Sequence, residues 1–174
     1  MENESQKLYR IIISLYAEIS KNSKRSLNGK RTVHRFHREK LAREIEKVYP
    51  VHINNPENLW SINAFAEHVK RFNRDRRIPE IEEEICDILK LFFRDKVWAK
   101  DEIIFENVPE TFILNGKTGN LKKNCLNGLR IEISERFGIS DYSSGAYKFF
   151  DNPFTFDELV EWVYSHERQN LKGG

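Results

Sequence analysis

Between Lys21 and Arg43 the chain places nine cations, Lys21, Lys24, Arg25, Lys30, Arg31, Arg35, Arg38, Lys40 and Arg43, against one acid, Glu39. The net charge of this stretch is +8, whereas the whole 174-residue chain carries +2. So many cations cannot be buried without partners, so the stretch belongs on a surface. The chemistry such a surface offers is phosphate contact, with release of counterions from a polyanion. Phe36, Lys40, Arg43 and Lys47 fall at i, i+4, i+7 and i+11 on one helical side. An aromatic ring within a basic stripe is what base stacking requires. The alternative for Phe36 is packing beneath a neighbouring loop. A second basic cluster, Arg71, Arg74, Arg76 and Arg77, forms one patch with the first if the two fold side by side. No Asn, Gln or Arg is placed by the pattern against base edges, so contact with backbone phosphates is the expectation, without sequence reading.

The histidines offer a second kind of chemistry. His34 and His37 stand three apart and His52 follows; a metal site needs such groups to converge with a further ligand. His34 falls in register with Leu41, Ile45 and Val48, so the competing expectation is that the histidines border the core. Arg31 and His37 also carry R-x5-H spacing, which resembles that of the HEPN ribonucleases. The resemblance covers these two residues and implies a helical fold with metal-independent RNA cleavage by Arg31 and His37 across a dimer interface. It departs from expectation in that Arg31 precedes the helix.

Other catalytic patterns are missing. There is no G-x-x-x-x-G-K-S/T, G-x-G-x-x-G, G-x-S-x-G or H-E-x-x-H, and no Asp followed by Glu-x-Lys on a strand. Cys86 and Cys125 form no C-x-x-C and are expected as reduced core thiols. No catalytic residue, cofactor or metal is therefore expected. The C-terminal Leu171-Lys172-Gly173-Gly174 resembles a ubiquitin-like tail, but the body predicted here is not strand-rich.

The elements that must position these residues are mostly helices. Residues 5–20 show Leu8, Ile12, Leu15 and Ile19 at helical spacing, with Ser5 as the cap. A polar loop follows over 21–32. The second helix is predicted from Val33 to Tyr49, with Leu41, Ile45 and Val48 inward and Pro50 as the stop. Asn55-Pro56 opens a third helix carrying Leu59, Ile62, Ala66 and Val69. Pro79 starts a fourth, with Glu80, Glu82, Glu83 and Glu84 at its positive end and Ile81, Ile85, Ile88 and Phe92 as its stripe. Residues 102–106 and 111–114 read as two short strands of a hairpin, with Asn115-Gly116 as a turn signal. A fifth helix runs over 120–137 with Leu126, Leu129, Ile133 and Phe137 in register; Asn127-Gly128 marks a break and Gly138 the end. The last helix has a capping box, Thr155 with Glu158, and a hydrophobic staple, Phe154 with Leu159.

The fold class expected is mainly α: a compact helical domain of about six helices with a small β-hairpin, 1–174 as one domain. A possible subdivision separates a basic 1–97 from a 98–174 part holding the hairpin and two helices. The hydrophobic fraction of 39%, with twelve Phe, is ample for a core. The acidic start MENESQKLYR lacks the basic lead and apolar run of a signal peptide, so a cytoplasmic protein with no membrane partner is expected. Charge is also unequal along the chain, about +8 over residues 1–77 and −6 over 78–174. The expected function is binding without catalysis: a nucleic-acid-associated protein taking DNA or RNA or a nucleoprotein complex on its basic loop and helix. The alternative is a protein-interaction module, an inhibitor or adaptor that docks on a partner protein or nucleoprotein, in part through the acidic C-terminal half.

Overall fold

A computed structural model describes residues 3–21, 32–140 and 145–169. Its described residues form seven α-helices and one two-stranded antiparallel hairpin, a mainly helical fold as the patterning predicts. The chain divides into two compact units: Met1–Arg77 with Gln169–Gly174, and Ile78–Arg168. This division falls within a helix and earlier than the subdivision expected after residue 97.

The first unit holds α1 (Glu4–Ser20), α2 (Arg35–Val48) and α3 (Ile62–Phe72). Helix α1 begins two residues earlier than a Ser5 cap predicts, because Asn3 and Gln6 make a reciprocal capping box, Gln6 N to Asn3 Oδ1 at 2.9 Å and Asn3 N to Gln6 Oε1 at 3.2 Å. Leu8, Ile12, Tyr16 and Ala17 are its buried side chains. Helix α2 buries Leu41, Ala42 and Ile45, whereas Val48, expected inward, is 51% exposed. Ala42, one position round, completes the stripe instead, and the helix ends immediately after Val48 in extended Tyr49. Asn55-Pro56 opens only a 3₁₀ turn, Pro56–Asn58. Helix α3 starts later, where Ser61 Oγ accepts from Ala64 N at 3.1 Å. The expected row is intact across this break, with Leu59, Ile62, Phe65, Ala66, Val69 and Phe72 all buried.

Helix α4 (Arg74–Leu89) starts five residues before Pro79, which lies inside it. The Asn73 side chain initiates it, Oδ1 accepting from Asp75 N at 3.0 Å. Pro79 is the sixth residue of the helix and removes the one ladder bond its N–H would have made, and the helix continues through it. In the second unit Ile81, Ile85, Ile88 and Leu89 of α4 pack with α5 (Leu121–Phe137), α6 (Ala146–Phe150) and α7 (Phe156–His166).

The hairpin is shifted from its expected place. Strand β1 (Thr111–Leu114) pairs with β2 (Lys117–Asn120) across Asn115 and Gly116, whose φ values of 51° and 74° suit a type I′ turn. Residues 102–106 are not a strand of it. Ile104 and Phe105 are both buried, which breaks strand alternation, and Phe105 has φ 60°. That segment instead bridges the entry to α7, Ile104 N donating to Phe154 O at 3.0 Å and Phe156 N to Glu102 O at 2.9 Å.

Helix α5 runs unbroken through Asn127-Gly128, with Gly128 facing the Phe92 ring, and stops at Gly138 in the left-handed region. The Thr155–Glu158 capping box of α7 is present, over buried Phe154 and Leu159. Cys86 and Cys125 are free and half-buried, and burial raises both thiol pKa values. Among the described residues no helix is long and apolar enough to cross a membrane, and no three His, Cys, Asp or Glu side chains cluster as metal ligands would.

Candidate nucleic-acid interface

The N-terminal end of α2 is where cations and exposed rings meet. Val33 is fully buried, and its N–H donates to Trp60 O at 2.7 Å beside a Thr32–Ser61 bridge. His34 N donates to Tyr16 Oη at 3.1 Å. These bonds anchor the chain just before α2 to α1 and to the segment entering α3. His34 is the N-cap: its Nδ1 faces Phe36 N at 3.4 Å, and its ring is exposed. It therefore lies outside the helical register that pointed it toward the core. His37 is half-buried, with ring centres 5.9 Å from His34 and 6.1 Å from Tyr16.

On this scaffold Phe36 is 73% exposed and Trp60 66% exposed, so packing beneath a loop does not describe Phe36. The Arg35 guanidinium lies 4.8 Å from the Phe36 ring centre and the His34 ring 5.1 Å from it. Arg38 lies 5.6 Å from the Trp60 ring centre. Its Nε donates to Val33 O at 3.0 Å and its Nη1 to Glu57 O at 2.8 Å, so Arg38 braces the backbone that carries both rings. Sequence periodicity did not single out Trp60, which sits between a 3₁₀ turn and a helix cap. The available signal was a large aromatic immediately before Ser61 and outside the apolar row.

The remaining cations divide into two groups. Lys21, in the left-handed cap of α1, Arg35 and Lys40 are exposed and form no ion pair with a described residue. Arg43 and Lys47, farther along the same predicted stripe, are engaged internally. Arg43 Nε donates to Glu39 at 2.8 Å, its Nη1 to Glu46 and its Nη2 to Ile53 O at 3.2 Å. Hydrogen bonds to Glu39 and Glu46 raise its pKa above the ordinary value against the opposing effect of partial burial. Lys47 Nζ pairs with Glu44 at 2.6 Å. The predicted site residues Lys24, Arg25, Lys30 and Arg31 lie outside the described residues.

The second cluster is split between two helices. Arg71 closes α3 over the Phe72 ring, whereas Arg74, Arg76 and Arg77 begin α4 and have partners within the protein. Cations at a helix start oppose its dipole, so C-terminal dipole compensation accounts for Arg71 alone. Comparison with known proteins finds no matching family model, no matching curated protein and no matching solved structure.

Proposed function

We propose that the chain is a non-catalytic nucleic-acid-associated protein that binds through the N-terminal end of α2 and the basic segment leading into it. The observation that carries this reading is the pair of exposed rings, Phe36 and Trp60, each with an arginine guanidinium beside it. Large rings left in water cost hydration, while base stacking on such rings contributes about 1–3 kcal/mol per base. Lys21, Arg35 and Lys40 supply cations for phosphates, with Lys24, Arg25, Lys30 and Arg31 adding charge from the adjoining segment. Exposed rings suit unpaired bases, so single-stranded RNA or DNA is the preferred form. Arg43, Lys47, Arg74, Arg76 and Arg77 contribute less, because protein groups already engage them.

Fluorescence anisotropy with a labelled single-stranded oligonucleotide tests this. Binding should weaken with salt by roughly −0.7 in log K per phosphate neutralised and should fall when Phe36 becomes Ala. No binding at low salt, or binding insensitive to both changes, overturns the reading.

A second reading is a protein-interaction module, favoured by Ile113 and Leu114, which are 77% and 64% exposed on β1 of the hairpin. Retention of a protein partner with little salt dependence and loss on Ile113→Thr would select it. Nothing further supports HEPN-like cleavage, whose Arg31 lies outside the described residues.

A further inference from the structure

Gln169 lies beyond the end of α7 and belongs by its contacts to the first unit. Its side-chain amide bonds to backbone there: Nε2 donates to His52 O at 2.8 Å, and Oε1 accepts from Asn54 N at 3.0 Å. Gln169 is 4% exposed and faces His68, which is 1% exposed. Neither His68 nitrogen makes a well-formed hydrogen bond with a described residue. The acceptors beside its ring, Gln169 and the His52 carbonyl, are groups that the amide pairing already engages. The charges around the ring oppose one another. Arg71 on α3 disfavours a proton there and Glu46 on α2 favours it, while Glu46 also serves Arg43, Ile53 N and His52 Nδ1. An imidazolium in this place presents two N–H donors, and burying them without acceptors is costly. Water can supply the acceptors while α2 and α3 stay packed. Admitting it means moving Gln169, which is part of no helix and whose side chain holds to the unit through two neutral hydrogen bonds.

We propose that Gln169 is an acid-released clasp: protonation of His68 opens the contact of Gln169 with His52 and Asn54 while the helices of the first unit stay folded. Gln169 is fastened near neutral pH and freed in acid. The device is independent of the nucleic-acid reading.

Native-state hydrogen exchange followed by NMR on the full chain tests this. The Asn54 amide reports the clasp, because its N–H is bonded to Gln169 Oε1. Its protection, corrected for intrinsic exchange, should fall about tenfold per pH unit from 6.5 toward 4. It should not respond to low urea, since local opening exposes little surface, whereas protection of the Phe65 amide inside α3 should fall with urea. His68→Phe should abolish the pH dependence at Asn54. In Gln169→Ala the His68 pKa, read from its ring carbon shifts, should rise from about 4 toward 6.5, because water then reaches the ring. The proposal is overturned if Asn54 shares the urea dependence of Phe65, if its protection ignores pH or keeps its slope in His68→Phe, or if Gln169→Ala lowers the His68 pKa.

Discussion

Arg38 Nη1 donates to the Glu57 carbonyl at 2.8 Å while the same guanidinium lies 5.6 Å from the Trp60 ring centre. One side chain thus fixes the 3₁₀ turn and the ring that follows it. With Nε also bound to Val33 O, Arg38 stabilises the platform more than it adds to its free charge. Arg38→Met should lower stability by about 1–3 kcal/mol, from the loss of two charge-assisted bonds to carbonyls. Urea unfolding measures it, and a midpoint equal to that of the unaltered protein would remove Arg38 from this bracing role.

Phe36 and Trp60 should behave oppositely to Arg38. Replacing either by Ala leaves unfolding midpoints unchanged to within about 0.5 kcal/mol, because exposed rings bury little area. Affinity for a single-stranded oligonucleotide should fall by about 1–3 kcal/mol for each. Anisotropy titration at fixed salt, paired with thermal melts, separates the two effects.

Glu46 organises the far end of α2. Its carboxylate accepts from Ile53 N at 2.7 Å and from Arg43, and lies 3.2 Å from His52 Nδ1. Glu46→Ala leaves the Ile53 N–H and the Arg43 guanidinium without this acceptor and should destabilise by about 2–4 kcal/mol. Lys47→Ala, which breaks the exposed pair with Glu44, should change stability by less than about 0.5 kcal/mol. A Glu46 variant as stable as the Lys47 variant would show that the Glu46 network is not structural.

His68 makes stability depend on pH. It is 1% exposed against Phe72, and neither ring nitrogen makes a well-formed hydrogen bond. Burial lowers its pKa from 6.5 to about 4, although Gln169 and the His52 carbonyl nearby favour the proton. The folded pKa lies below the unfolded one, so between these values the unfolded chain binds more protons and stability rises with pH. The contribution is complete above about pH 6.5 and is lost as pH falls toward 4, a loss on the order of 3 kcal/mol. Urea midpoints from pH 4 to 7 should show this slope, and His68→Phe should flatten it. An unchanged slope in that variant assigns the effect elsewhere.

Gly138 ends α5 at φ 63°, where an added Cβ would stand 3.0 Å from the Cβ of Arg168. Gly138→Ala should cost about 1–2 kcal/mol, from the left-handed backbone and this close approach. Gly116→Ala, at φ 74° with nothing near its Cβ, carries the backbone strain alone and should cost less. Thermal melts rank the two.

Much of the architecture was legible because it rests on local rules. Periodic apolar residues placed the buried face of α3 and most of those of α4 and α5, Phe92 lying beyond the end of α4 and Leu126 half-buried, and the Thr155–Glu158 box placed the start of α7. The errors fall where distant groups compete with local signals. Pro56 and Pro79 both read as helix starts, yet Ser61 and Asn73 supplied better side-chain acceptors and took the role. Residues 102–106 have strand composition, but the partner that satisfies their backbone is the entry to α7, fifty residues away in sequence. That pairing leaves no local trace.

Sequence alone determined that positive charge is concentrated in Lys21–Arg43 and that the body is helical, since charge and periodicity are properties of residue order. The pairs Arg43–Glu39, Arg43–Glu46 and Lys47–Glu44 follow from helical spacing, whereas the tertiary structure decided which cations also bond distant backbone. Arg43 adds the Ile53 carbonyl to its helical neighbours Glu39 and Glu46 because the chain turns back after α2, while Arg35 stays open at the other end. It likewise decided that Phe36 and Trp60 stand in water at one helix end, because that depends on which surfaces α1 and α3 leave uncovered.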